Sequence, residues 1–161
     1  MRILSIMLIA AVMVTCDPPR THEGETVKLT DFDLVNTDGT QVKKTDLLGN
    51  QVVVNIWATW CKPCIQEMPS FRAAQEKLRD KGVIFLFASD EPMDLIRKFD
   101  EKRKPGLKLV RLENYPDFNF QAIPVTFVFN KEGVITHYET GSRNWETDAS
   151  LELLTKTAPL P

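Results

Sequence analysis

The chain is poor in the residues that several common chemistries need. It has three cysteines and two histidines in 161 residues. A disulfide scaffold would carry more cysteines in a shorter chain. A structural zinc site needs four ligands, usually from a second Cys or His pair, and His22 and His137 each stand alone. No metal is therefore expected. There is no excess of either charge: 20 Lys and Arg face 22 Asp and Glu, for a net of -2. A nucleic-acid binder would need a basic footprint, so that class is set aside. Basic residues do gather at Arg97, Lys98, Lys102, Arg103 and Lys104, but Asp94, Asp100 and Glu101 interleave with them, the pattern of a solvated helix face. Internal repeats and low-complexity segments are also lacking. What is present is ordinary for one folded domain, with 43% hydrophobic and 26% charged residues.

The first residues read as an address rather than as fold. Arg2 precedes an apolar run, 3–14, of 12 residues. A spanning helix needs about 20, whereas this length and basic start fit a secretory signal. Residues 1–15 are assigned to that signal. Met13-Val14-Thr15-Cys16 resembles the lipobox of bacterial lipoproteins, with Thr15 and Met13 departing from its usual residues. The resemblance implies lipidation at Cys16 and an anchor at a membrane surface. Residues 16–25, with Pro18, Pro19 and Gly24, form a short polar tether. The folded domain is expected over 26–161.

Within it, 26–34 and 41–43 read as strands around the turn Asn36-Thr37-Asp38-Gly39. A helical turn is expected over 46–48, with Thr45 as its cap. The run 51–58 is β-branched and almost wholly apolar, as in a central strand buried on both faces. A helix over 62–81 follows, with Met68, Phe71, Ala74 and Leu78 as its apolar stripe, a kink expected at Pro69 and a stop at Gly82. Then come a strand over 83–88, a helix over 94–104, a strand over 107–112, a hairpin of 125–130 and 134–140, and a last helix over 146–156. Alternating β and α elements closed by a hairpin predict an α/β fold with one mixed sheet flanked by helices.

The chemistry centres on Trp57-Ala58-Thr59-Trp60-Cys61-Lys62-Pro63-Cys64, where a buried strand meets a helix. Unpaired N–H groups at a helix start favour an anion, so the Cys61 thiolate should be stabilised. Lys62 adds positive charge, and Pro63 suits a first turn that needs no N–H. The thiolate is the species that attacks a disulfide. Cys61 is expected to be the exposed nucleophile, and Cys64, three positions on along the same helix face, the more buried thiol that resolves the mixed disulfide. A purely structural disulfide is the alternative, but closing so small a loop gains little. Glu67 lies three residues past Cys64 on the same side, placed to exchange protons with it; the alternative is an exposed helix glutamate.

These residues resemble the thioredoxin superfamily, and within it the TlpA/ResA-type branch of extracytoplasmic thiol–disulfide oxidoreductases. VVVNIWATWCKPC is similar to that branch's active-site strand and motif, and Glu67-Met68-Pro69 to its continuation. Ala122-Ile123-Pro124-Val125-Thr126-Phe127 resembles the family's cis-proline loop, with Val125 and Ala122 departing from it. The resemblance implies a thioredoxin-like fold with an N-terminal β-hairpin extension. It also implies a cis Pro124, and Ile123 pairing its backbone with substrate beside Trp60, Lys62 and Pro63. Asn55 stands where cytoplasmic thioredoxins have a buried aspartate, which leaves Glu67 as the candidate base. Trp57 and Trp60 are expected to shield the site. The implied activity is reduction of disulfides in particular exported proteins, such as cytochrome c maturation factors. It needs no soluble cofactor, draws electrons from a membrane donor and is performed by a monomer.

Two other functions stay open. A peroxiredoxin-like peroxidase is hinted at by TDFDLVNTDGT, although Thr59 is only two residues before Cys61. A copper chaperone or binding module would need a longer cysteine spacing and a well-placed histidine. His137, in an alternating strand, reads as a half-exposed structural residue.

Overall fold

The apolar run after Gly49 becomes the middle of the protein. In the computed structural model, which describes residues 27–160, strand β2 (Gln51–Ile56) is buried at every position. It pairs in parallel with β3 (Val83–Ser89) and antiparallel with β5 (Val125–Phe129). Continuous β-branched sequence is what a strand with neighbours on both edges and cover on both faces requires. Outward from β3 lie β4 (Leu109–Leu112), parallel to it, and β1 (Leu34–Asn36), antiparallel to β4. β6 (Ile135–Thr140) completes the other edge against β5. The six-stranded order is β1-β4-β3-β2-β5-β6.

Helices α2 (Lys62–Lys77) and α3 (Met93–Arg103) carry the two parallel crossovers; α1 (Lys44–Leu47) precedes β2 and α4 (Asp148–Leu154) ends the fold. The pleat sends alternate side chains of β2 to opposite faces. Val53 joins Phe71, Phe85, Phe87, Ile96 and Trp145 in one cluster, while Val52, Val54 and Ile56 join Leu29, Phe32, Leu47, Phe127 and Phe129 in the other. Each fully buried large side chain contributes about 1.5–3 kcal/mol of transfer free energy, so the two clusters pin β2, and the residues at its end, from both sides.

Several expected boundaries shift for local reasons. The strand anticipated over 26–34 contains a 3₁₀ turn, Leu29–Asp31, because Asp31 accepts a hydrogen bond from the Lys28 N–H at 2.8 Å. Leu29 and Phe32 are instead buried in the core. The N-terminal hairpin is consequently short: β1 is followed by the Asn36–Gly39 turn and a single bridge between Val35 and Gln41. Helix α1 begins at Lys44, without Thr45 as its cap. Helix α2 runs unbroken through Pro69 and stops at Lys77, where a 3₁₀ turn, Arg79–Lys81, leads to Gly82 at φ 67°. Thr147 caps α4, its hydroxyl oxygen accepting from the Ser150 N–H at 3.3 Å, which places the helix start at Asp148 rather than 146. Residues 1–26, with the expected signal, Cys16 and the tether, lie outside the described residues. No helix among the described residues is long and apolar enough to cross a membrane.

Candidate active site

β2 ends at Ile56, and the chain leaves the sheet with the Trp57 N–H still donating to the Ala88 carbonyl at 3.0 Å. Thr59 and Trp60 form the turn, and Cys61 becomes the N-cap of α2. Its sulfur accepts from the Cys64 N–H at 3.3 Å, satisfying one of the donors that a helix start leaves open. Pro63 sits in the first turn, where its missing N–H costs nothing. Cys61 and Cys64 are joined as a disulfide with their Cα atoms 5.3 Å apart.

The turn before Cys61 is held from β3. The Glu91 carboxylate accepts from the Thr59 N–H and the Thr59 hydroxyl, both at 2.6 Å, and from the Ser89 hydroxyl at 3.1 Å. Sequence reasoning missed Glu91, since nothing local to it announces a partner 32 residues away. From the other side comes the segment before β5. The Ile123–Pro124 peptide is cis, as the resemblance implies, and the Ile123 carbonyl oxygen lies 3.8 Å from the Cys61 sulfur. Trp60, Lys62 and Pro63 are exposed around the disulfide, Trp60 at 72%.

Two expectations about this rim change. Cys61 was expected to be the exposed sulfur; it is only 3% exposed against 0% for Cys64, so in the oxidised state both are covered. Trp57 is core rather than shield: it is fully buried, with its ring 4.7 Å from Phe99.

Glu67 is the unusual group. It is 3% exposed on α2, three residues beyond Cys64. Its Oε1 accepts from Asn55 Nδ2 at 2.9 Å; its Oε2 accepts from Trp145 Nε1 at 3.0 Å and the Arg143 N–H at 3.1 Å. Asn55 also donates to the Thr126 hydroxyl at 3.0 Å, which ties β2, α2 and β5 together beneath the disulfide. Burial pushes the Glu67 carboxyl up from its ordinary value of 4.5; the three hydrogen bonds oppose this, and the charge of Glu139 adds to it. The exposed-glutamate alternative is thereby removed. Trp145 and Arg143, also missed in the sequence, come from the segment between β6 and α4, far from the motif in the chain. A cleft of about 490 Å³ bordered by Glu67, Ser70, Arg143 and Asn144 opens beside this network.

His137 is half-buried on β6, with Nε2 3.1 Å from Glu139 Oε2. Burial lowers its pKa from 6.5, against the opposing pull of Glu139. Among the described residues no three His, Cys, Asp or Glu side chains converge as a metal-binding set. Chemically, the arrangement offers a dithiol–disulfide pair at a helix start, a carbonyl edge beside the first sulfur and a buried, hydrogen-bonded carboxyl three residues past the second.

Comparison with known proteins agrees with that chemistry. Residues 23–154 match the Redoxin family, and the chain belongs to it. It is 31% identical to the thioredoxin-like protein YneN of Bacillus subtilis, covering 70% of this chain and 69% of that one. It is also 31% identical to the thiol-disulfide oxidoreductase ResA of Geobacillus kaustophilus, covering 72% and 69%. A thiol:disulfide interchange protein of the thioredoxin family from Chlorobium tepidum superposes with a TM-score of 0.62 at 23% identity, over 74% of this chain and 88% of that one. The last likeness establishes the thioredoxin-like fold. With the Cys61–Cys64 pair, the sequence relatives make this protein a thiol–disulfide oxidoreductase of the ResA type.

Proposed function

We propose that the protein works outside the cytoplasm as a reductase of disulfides in particular exported proteins, including cytochrome c maturation factors. The observation that carries this reading is the buried, hydrogen-bonded Glu67 three residues past Cys64 on α2. The Cys61 thiolate attacks a substrate disulfide, forming a mixed disulfide and releasing the first substrate thiolate. Glu67 then takes the proton of Cys64, whose thiolate attacks the Cys61 sulfur and expels the second substrate sulfur as a thiolate, which picks up the proton held by Glu67. Two electrons pass to the substrate, and the protein is left as the disulfide of the structure. A dithiol donor in the membrane returns it to the reduced state. The Ile123 backbone at the cis Pro124, with Trp60, Lys62 and Pro63, receives the substrate chain beside Cys61.

Residues 1–15 direct export, lipidated Cys16 anchors the mature protein at the membrane surface, and 16–25 tether the domain, which acts as a monomer and uses no soluble cofactor. The apolar run behind Arg2 and the lipobox-like Met13–Cys16 sequence support this part.

The test is the equilibrium reduction potential of Cys61–Cys64 in a dithiothreitol or glutathione series. A value near that of thioredoxin, about −270 mV, is expected; one near that of DsbA, about −120 mV, makes the protein a disulfide donor instead. Cys16→Ser should move the protein from the detergent to the aqueous phase on partitioning; no change overturns the anchor.

A further inference from the structure

The basic residues of the 97–104 cluster are all exposed, as a solvated face requires, but their side chains differ in what they meet. Arg97 donates to the Thr37 carbonyl at 2.6 Å, and Lys98 pairs with Asp94 at 3.1 Å. Arg103 and Lys104 have no hydrogen bond or ion pair to their side chains among the described residues. Arg103 ends α3 and Lys104 is its C-cap; both border a cleft of about 820 Å³ that α2 lines with Ile65, Met68 and Arg72 and α3 with Phe99. Arg72, likewise without a partner among the described residues, lies across Gly106: a Cβ there would meet its Nε at 3.4 Å and its Cδ at 3.5 Å. The carboxylate on this wall, Glu76, is already paired with Arg79.

Three unpaired cations therefore border a floor whose apolar members Met68 and Phe99 pack in the same cluster as Cys61 and Cys64. Ile65, which borders the cleft, directly follows Cys64 on α2. Arg72, eight residues past Cys64 on one helix, is about 12 Å along its axis. An extended chain spans that in about four residues.

We propose that this cleft is a docking site for an acidic segment of the protein substrate, lying about four residues from the cysteine under attack. Its Asp or Glu side chains meet Arg72, Arg103 and Lys104, and an apolar side chain rests on the Met68–Phe99 floor. The assignment rests on protein disulfides being the substrates. A concave, apolar-floored site with few cations fits a peptide better than a flat anionic lipid surface, and the overall charge of -2 gives a membrane no general attraction. Complementary charge at such a rim acts through the encounter rate and its salt dependence.

The experiment uses the full chain, reduced in advance, in single turnovers with two 15-residue peptides whose only cysteine is a mixed disulfide with 2-mercaptoethanol. One carries Asp, Glu and Leu four to six positions either side of the cysteine; in the other Asn and Gln replace the acids. Wild type should reduce the acidic peptide about tenfold faster at low salt, the lower end of electrostatic steering. That ratio should fall below twofold in Arg72→Glu/Arg103→Glu and, for wild type, in high salt. Because both rates come from one protein, any general loss of activity cancels in the ratio. Equal rates in wild type, or a ratio that survives the charge reversal, overturn the docking site while leaving the reductase intact. Binding to phosphatidylglycerol vesicles that depends on Arg72 and Arg103, without a peptide preference, reassigns the cleft to lipid. Failure to reduce either peptide sinks the protein-disulfide reading and the docking site with it.

Discussion

Replacing Glu67 by Gln separates the proton chemistry of the site from its architecture. The carboxylate accepts three hydrogen bonds, and a glutamine oxygen in the Oε2 position still accepts from Trp145 Nε1 and the Arg143 N–H. Only the contact with Asn55 becomes donor against donor, and it is relieved if the Asn55 amide turns over, at the expense of its donation to Thr126. The net cost is that of one altered buried hydrogen bond, about 1–2 kcal/mol at most. Part of this is offset because an ionised carboxylate no longer has to be buried. The protein should stay folded.

The rate should respond far more. A thiol with a pKa near 8.5 is about 3% ionised at pH 7, and apolar burial lowers that fraction further. Without a base, resolution by Cys64 should slow by about 100-fold, the lower end of general-base effects. In single turnovers of reduced Glu67→Gln, the mixed disulfide at Cys61 should accumulate and be visible by mass spectrometry. Wild type should show an acid limb above pH 4.5, because burial raises Glu67, and the variant should lack it. Stability gives the matching sign. As pH rises from 4.5 through the raised folded value, the unfolded chain releases the proton first, so wild type loses stability over that window and Glu67→Gln does not. A variant with rates within threefold of wild type and an unchanged acid limb would refute the role of Glu67.

Other perturbations follow from the same contacts. Asn55→Ala removes a hydrogen bond that lowers the Glu67 pKa, so the acid limb of the pH–rate profile should move to higher pH, and denaturant titration should read a loss of about 1–3 kcal/mol for the orphaned buried partners. Glu91→Ala frees the Thr59 N–H and hydroxyl from the turn before Cys61; urea unfolding should show a loss of about 2 kcal/mol, and Thr59→Ala should account for part of it without adding fully in the double variant. His137, whose pKa is lowered by burial, makes wild type lose stability as pH falls below 6.5, because the unfolded chain takes up the proton first; His137→Gln should flatten thermal melts across that range.

The core of the fold was legible because its signals are local. A β-branched run after a glycine, helical spacing from Met68 to Leu78 and a Lys131–Gly133 turn each fix an element by neighbours in the chain. The motif was legible for the same reason: Cys61 caps the helix that carries Cys64 and Glu67, so spacing alone put them on one side. What failed to show was whatever depends on contacts remote in sequence. Residues 26–34 have strand-like composition, yet an Asp31 side chain competing for the Lys28 N–H turns the backbone into a 3₁₀ loop. Trp145 carries no local signal in the chain; its indole N–H reaches Glu67, 78 residues away.

The distribution of those remote contacts explains why one small domain can hold reactive groups steady. Glu91 fixes the turn before Cys61 from the end of β3, the Ile123 carbonyl meets the sulfur from the start of β5, and Asn55 and Trp145 hold Glu67 from β2 and the segment before α4. Each support comes from a different element, and those elements are themselves locked by the two apolar clusters on either face of β2. Loss of any one polar contact should therefore shift a rate or a pKa without dissolving the site. Truncating a shared core residue should loosen several supports together. Phe71→Ala tests this: Phe71 is on the buried face of α2, stacked 4.8 Å from Trp145 and 5.1 Å edge-on to Phe87. Its loss should cost about 3–5 kcal/mol and, in whatever fraction stays folded, shift the Glu67-dependent acid limb as well. If stability falls while the limb stays put, the polar network holds Glu67 independently of the core, and the coupling argued from the Phe71–Trp145 stack is wrong.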